Sequence, residues 1–329
     1  MKSSSGHKPR ISLVVTLLNE VSLLPDFLDS IIGQTSPPDE LILIDGGSTD
    51  GSVAELKKYQ TKFPLPLIVK IKKGNISTCR NYGVLLAKNS LIAFTDLGCL
   101  PDKNWLAELV ATYNQTGCPV VAGYYYGLAK NKLEQAMLPY SLVMPRQLNP
   151  RKFLPASRSM LIDKKLFQHL GGFDKKLAVS EDYDLAKKIE KSATQSHQQL
   201  IAFNLAAQVG WYPRHNLAEF SRMIYRQTKY DLRAGHIRFK VLLILWRYIL
   251  ATLLIFVLAV MTDVVTTLLL GLMLLIIYSV WSIAKNKASA GKGWYFLPLL
   301  QIISDVMVLM ALLTEGPNLI SRRLPGAVT

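Results

Sequence analysis

Short apolar runs alternate with helical periodicities along the first half of the chain, and long apolar runs fill its last quarter. "ISLVVTL" (11–17), "ELILID" (40–45), "PLIVKI" (66–71), "LIAFTD" (91–96) and "PVVAGYYYG" (119–127) are continuous apolar segments of strand length. Between them, 21–33, 76–88 and 102–113 read as helices, the second capped by Asn75 or Ser77 and the third by Asp102. Buried strands alternating with helices predict an α/β fold with a mostly parallel sheet covered on both faces. The start, "MKSSSGHKPRISLVVTLLNE", mimics a signal peptide, but the apolar run is short and no small-residue cleavage site follows. A buried first strand is the expectation there. No internal repeat or low-complexity segment interrupts the pattern.

The C-terminal pattern is different. Residues 241–261 carry a single charge, Arg247, and residues 264–283 carry none. Each run is long enough to cross a hydrocarbon layer of about 30 Å at 1.5 Å per residue. The two-residue gap between them predicts a tight helical hairpin. A third run, 294–314, contains Pro298, Gln301 and Asp305, and either spans the membrane or lies partly in its interface. If that run is not exposed to lipid, Asp305 is expected to pair with Arg247, since ionisable groups at membrane depth find partners.

Charge divides the chain in the same place. Residues 1–240 hold 32 basic and 20 acidic side chains, a balance of +12, and 241–329 hold 6 and 3, a balance of +3. A basic domain beside apolar spans points to a membrane surface and not to nucleic acid, because no strand face interleaves basic and aromatic residues. From Arg214 to Lys240 there are seven basic and two acidic residues, with Leu217, Phe220, Ile224 and Tyr225 on one helical face. That segment reads as an amphipathic helix on a membrane rich in anionic lipid. The expected division is a flexible basic tail (1–10), an α/β domain (11–213) that the motifs below mark as catalytic, a basic juxtamembrane segment (214–240) and a membrane module of two or three spans (241–329). The positive-inside bias of Lys285, Lys287 and Lys292 puts the catalytic domain in the cytosol. It also favours keeping Arg322 and Arg323 on that side. Cys79, Cys99 and Cys118 form no CxxC pair and read as reduced thiols.

Polar motifs collect at the carboxyl ends of the expected strands, where such sheets bind ligands. These are Asn19-Glu20 after the first, Asp45 with "GGSTDGS" after the second, and Asp96 after the fourth. The glycine-rich turn either opens a helix N-terminus to phosphate or ribose oxygens or is only a turn with Asp50 as a cap. Without a GxGxxG after a strand, a dinucleotide oxidoreductase is disfavoured.

"VVTLLNE", "LILIDGGSTDGS", "GNISTCRNYG", "FTDLGCLPDKNWL" and "GGFDKKLAVSEDYDLAKKI" follow one another in an order and spacing that resemble the family 2 glycosyltransferases. The resemblance covers roughly 10–235. It implies a GT-A-type mostly parallel sheet sandwiched by helices, here followed by an α-helical transmembrane module. It implies transfer of a sugar from a nucleoside diphosphate sugar with inversion, to a lipid-linked or cell-envelope glycan acceptor. Carried over by position, Asn19 and Glu20 match the loop that contacts the nucleoside, and Asp45 the acid that hydrogen-bonds the base. Arg80 and Asn81 match the polar helix start near diphosphate and sugar. Asp96 matches the first acid of the Asp-x-Asp metal motif, and Asp182 the catalytic base, with Glu181 beside it in the acceptor or diphosphate region. Trp211, Arg214 and Arg226 fall in the region that closes over the donor in membrane-bound relatives, near diphosphate or acceptor.

Gly98 stands where the motif has its second acid. Mg²⁺ or Mn²⁺ is often held by one or two carboxylates plus substrate phosphates, so the expectation is a divalent cation bound at Asp96 together with the donor diphosphate. Gln227 is followed by Thr228, Lys229 and Tyr230, unlike the QxxRW of polymerising synthases. The rival to an active transferase is a catalytically weak nucleotide-sugar-binding module that recruits partners at the membrane. Neither reading fixes the sugar, the nucleoside, the acceptor or the oligomeric state.

Overall fold

The computed structural model describes residues 9–323, with side chains through 316. Most of the expected basic tail, Arg322 and Arg323 as side chains, and the C-terminal end lie outside the described residues. The chain divides into two compact units, one of 1–126 with 147–212 and one of 127–146 with 213–329.

In the first unit, strands β1 (Ile11–Leu17), β2 (Glu40–Asp45), β3 (Leu67–Ile71) and β4 (Leu91–Phe94) run parallel in the order β3-β2-β1-β4. Every residue of β1, β2 and β4 is buried, as the unbroken apolar runs require. The sheet continues past β4 through antiparallel strands. These are β5 (Cys99–Pro101), β6 (Val120–Gly127), β7 (Met160–Asp163) and β8 (Ile201–Trp211), and the eight strands lie in the order β3-β2-β1-β4-β7-β6-β8-β5.

Helices α1 (Leu24–Ile32), α2 (Ser52–Gln60), α3 (Ile76–Leu86) and α4 (Trp105–Thr116) follow the early strands; α6 (Lys164–His169) and α7 (Glu181–Ser196) follow β7. Between β6 and β7 lies α5 (Lys132–Ser141), which belongs to the second unit. The cap of α3 is Asn75, whose side chain accepts from Thr78 N at 3.0 Å, while Ser77 Oγ donates to Leu177 O. The expected cap of the next helix does not form. Asp102 instead accepts from Tyr126 Oη at 2.9 Å, and α4 starts three residues later with no side-chain cap. Phe94, Phe167 and Phe173 form an aromatic cluster within the core under β4.

The second unit is helical, with α8 (Leu217–Arg233), α9 (Phe239–Met261), α10 (Val264–Ala290) and α11 (Leu297–Arg323) joined to α5. The apolar face of α8 is covered by protein. Phe220 and Ile224 are buried with Met137 of α5 and with Leu300 and Val308 of α11, and Tyr140 meets Phe220 edge-on. What α8 can offer a membrane is therefore its basic face, not the apolar one the sequence suggested. Arg233 holds Glu315 of α11 through two hydrogen bonds of 3.0 and 2.8 Å.

Two helical stretches are long and apolar enough to cross a membrane, Phe239–Met261 and the run beginning at Val264. Their apolar side chains face outward, with Leu250 60%, Phe256 66% and Leu268 68% exposed. The third apolar run forms α11, with Pro298 in its first turn where a missing N–H is harmless. Gln301 and Asp305 are buried within this unit. Asp305 accepts from Arg247 at 2.6 Å, from Gln301 at 3.0 Å and from Tyr248 at 3.2 Å, and also from Tyr278. The expected Arg247–Asp305 pair thus forms, and two tyrosines and a glutamine complete it.

Candidate active site

The loops after β1, β2 and β4 converge at the carboxyl ends of the parallel strands. Asn19 sits in the left-handed region at φ 57°, which asparagine tolerates better than most residues. Its Oδ1 accepts from Thr49 N and its own N–H donates to Ser48 Oγ, both at 2.8 Å, tying the first loop to the second. Asp45 is fully buried. Its Oδ1 accepts from Gly47 N at 2.7 Å and Ser48 N at 2.8 Å, while its Oδ2 is buried without a partner. Asp50 closes the turn by accepting from Ser52 and from Val21 N, which pulls its carboxyl below the usual range.

A carboxylate cluster lies beyond β4. Arg80 of α3 is 1% exposed and its guanidinium donates to both Asp96 and Glu181, while its Nε is buried without a partner. Burial alone would lower the Arg80 pKa; the two carboxylates, joined by Asp182, outweigh it and push the value up. Burial pushes the Glu181 carboxyl up, and although Arg80 opposes this, the neighbouring Asp182 and Asp96 add to the rise.

Asp182 is next in line, in the first turn of α7, where the helix dipole favours negative charge. The turn that presents it is strained, with Ser180 at φ 63°. One oxygen of Asp182 accepts from Tyr183 N at 2.8 Å and the other only weakly from Ser157 N at 3.4 Å, so acceptor capacity remains.

Arg158, ahead of β7, completes the constellation. Its guanidinium lies 4.5 Å above the Trp211 ring and 5.3 Å from the Tyr125 ring. Burial works against its charge, but Tyr125, Cys99, Asp96 and Asp182 overcome that and raise its pKa. Two arginines therefore face three carboxylates, Asp96, Glu181 and Asp182, a formal balance of −1. Arg158 is not legible in the sequence, where its signal is no more than a basic residue before a short buried strand.

Two expected residues do other work. Asn81 donates to Phe173 O at 2.8 Å and accepts from Phe173 N at 3.0 Å, so both ends of its amide hold a turn. That turn needs glycine: a Cβ at Gly172, where φ is +65°, would stand 2.7 Å from Asn81 Oδ1 and 2.9 Å from Phe167. Trp211 is 6% exposed and serves as the platform for Arg158. Arg214 and Arg226 belong to the second unit.

For a divalent cation the chain offers few ligands. Among the described residues no group of three or more His, Cys, Asp or Glu could hold one. Asp96 is partly exposed at 27%. Next to it, a Cβ at Gly98 would stand 3.4 Å from Glu20 Oε1, so a second carboxylate occupies the neighbourhood of the missing acid. One or two hard oxygen ligands fit a cation that is held jointly with a diphosphate, and do not fit one held by protein alone.

The glycosyl transferase family 2 model matches residues 12–171, a span that contains β1 to β7 and the loops just described. The chain carries a family 2 glycosyltransferase domain. The glycosyltransferase AglE of Haloferax volcanii is 27% identical over 118 residues, covering 35% of this chain and 39% of its own length. A cholesterol galactosyltransferase of Borreliella burgdorferi is 27% identical over 136 residues, covering 41% and 38%. The chain thus spans less than two fifths of these relatives' own length. Among solved structures, a Pyrobaculum calidifontis mannosyltransferase in complex with GDP-Man and Mn²⁺ has a TM-score of 0.61 at 17% identity. That likeness covers 92% of this chain and 88% of the other, and extends the shared fold past the family 2 domain into the helical unit.

Proposed function

We propose that the chain is a membrane-anchored inverting glycosyltransferase that moves a sugar from a nucleoside diphosphate sugar to a lipid-linked or envelope glycan acceptor. The observation that carries this is the Asp96–Arg80–Glu181 cluster with Asp182 beside it, at the strand ends of a family 2 domain. Asp45 and the Asn19 loop form the nucleoside end. The unpartnered Asp45 Oδ2 is what a base N–H would satisfy, since a buried acceptor without a donor costs about 1–3 kcal/mol.

At the other end an acceptor hydroxyl gives its proton to Asp182 as its oxygen attacks the anomeric carbon. The bond from that carbon to the diphosphate oxygen breaks, and the diphosphate leaves with the electron pair. Arg158 faces Asp96 and Asp182 across this point and supplies positive charge to the leaving group, while Arg80 keeps the acids fixed. A divalent cation, when bound, would neutralise part of the diphosphate charge. Asp96 and Glu20 are the residues that would hold it, and a structural neighbour's complex with Mn²⁺ supports that use.

Outward-facing α9 and α10 support anchoring, and Lys285 and Lys287 at the end of α10 support a cytosolic catalytic domain. All three cysteines are buried, so a cysteine placed at exposed Lys57 gives a clean probe. Labelling of that cysteine by an impermeant reagent on intact cells would overturn the orientation. The function itself is tested with the purified full chain, a panel of nucleotide sugars and a membrane lipid extract, read by mass spectrometry. A hexosylated lipid or glycan with matching nucleoside diphosphate is expected, and absence of both would refute the reading.

A further inference from the structure

The helical unit forms a partly open pocket of about 340 Å³ between α5, α8, α9, α10 and α11. Its size is at the lower end of small-molecule sites, which run to about 300–1,000 Å³. Its lining is lopsided in charge. Lys240 from the first turn of α9, Lys285 from near the end of α10, and Arg247 two turns further along α9 all border it. Of these three, Arg247 makes an ion pair within the described residues, with Asp305. Asp231, also in the lining, is taken by Arg238 at 2.6 Å. Among the described residues no carboxylate makes an ion pair with Lys240 or Lys285, which leaves the cavity about two positive charges in excess.

Two further polar atoms in the wall lack partners. Arg247 Nε is a buried donor and Gln301 Oε1 a buried acceptor, and Gln301 is only 4% exposed. Gln227 and Thr228 add neutral hydrogen-bonding groups from α8. Beside them the wall is apolar, through Leu243, Ile244 and Trp281, and Leu243 is 53% exposed on the outer face of α9. Cations, an orphan donor and an orphan acceptor in a pocket opening onto an apolar helix face describe an amphiphile with an anionic head.

We propose that this cavity binds the phosphate of a lipid phosphate. Lys240 and Lys285 take the charge, and the acyl or prenyl tail lies along the exposed α9 face. The orphan acceptor, Gln301 Oε1, suits a head that still carries a hydroxyl, as a phosphate monoester does when protonated. Basic pockets between membrane helices on the cytosolic side are general binding places for such heads. In assigning this lipid as the acceptor or its carrier, the inference rests on the transferase reading above; the binding itself does not.

The test uses the full chain in neutral detergent, with phytanyl phosphate and phytanol offered together at equal concentration and bound lipid counted by native mass spectrometry. Phytanyl phosphate is expected to be retained at least tenfold over phytanol. The double variant Lys240→Gln/Lys285→Gln should lose that preference by tenfold or more, and Lys285→Arg should keep it. Unchanged circular dichroism of the double variant shows that loss of binding is not loss of fold. Equal retention of the alcohol, or full retention by the double variant, overturns the proposal. Inorganic phosphate is added as a competitor. If it displaces the lipid at equal concentration, the cavity is a free phosphate site and the lipid assignment fails. Donor turnover is measured separately, so a chain that binds the lipid phosphate but cleaves no nucleotide sugar refutes the transferase reading and leaves this one standing.

Discussion

Replacing Arg80 with Met removes the one cation held between Asp96 and Glu181 while roughly preserving volume. Glu181 is 5% exposed and Asp96 partly covered, so neither carboxylate regains full hydration when the guanidinium goes. Removing one partner of a buried pair costs about 3–5 kcal/mol because a charge is left uncompensated. Here the loss falls on two carboxylates with a third, Asp182, beside them, which argues for the upper part of that range at neutral pH. The cost shrinks in acid. Glu181 already has its carboxyl raised above 4.5 by burial, and loss of Arg80 raises it further. A raised folded-state pKa means that folding favours the protonated carboxyl relative to the unfolded chain. The penalty is therefore small below the unfolded value and grows as pH rises through the folded one. For a unit of this size, 3–5 kcal/mol lowers its melting point by about 6–20 °C. The assay is thermal unfolding of the full chain in detergent at pH 5 and pH 8, followed by tryptophan fluorescence. A deficit at pH 8 that narrows clearly at pH 5 is expected. An Arg80→Met protein that melts within 2 °C of the parent at pH 8, or whose deficit grows in acid, would refute the reasoning.

Arg158→Gln should leave the melting point nearly unchanged and lower kcat by about 10²–10³, since the guanidinium meets its carboxylate neighbours without a direct ion pair and acts on the departing diphosphate. Full turnover in that variant would show that Trp211 and Tyr125 stack it for structure alone. Calorimetry should detect little Mn²⁺ binding to the free protein and clear binding once a nucleoside diphosphate is present, with Glu20→Gln weakening the second; tight binding without nucleotide contradicts the shared-ligand account. Gly172→Ala should destabilise by about 2–4 kcal/mol, because it combines a left-handed backbone with contacts under 3 Å, and an unfolding midpoint equal to the parent's would show that the turn can yield.

The residues that were legible in the sequence are those whose position follows from a local rule. Continuous apolar runs mark β1, β2 and β4 because both faces of a parallel strand are covered. Asp45 and Asp96 are found because they end or follow such runs, and the Arg247–Asp305 pair because a charge set in a long apolar run calls for a partner. What was not legible depends on long-range pairing. β8 reads "IAFNLAAQVGW", half-exposed and without clean alternation, and is a strand because β5 pairs with its end across more than a hundred residues. Asp102 has the spacing of a helix cap but is taken by Tyr126. Arg158 acquires meaning only when the fold stacks it on Trp211 beside the acids. The face of α8 that seemed made for lipid is covered by α5 and α11, which periodicity alone cannot distinguish from membrane burial.

The central claim is that Asp182 takes the acceptor's proton. Asp182→Asn keeps the shape and, through its remaining oxygen, the 2.8 Å bond from Tyr183 N, while its amide NH2 replaces the basic oxygen and gives up only the weak 3.4 Å contact from Ser157 N. Steady-state transfer is measured with a fixed acceptor, alongside equilibrium binding of the nucleoside diphosphate. The account predicts kcat reduced by about 10²–10⁴ with donor affinity changed less than threefold. Transfer by Asp182→Asn at the parent rate, with donor binding intact, would contradict it.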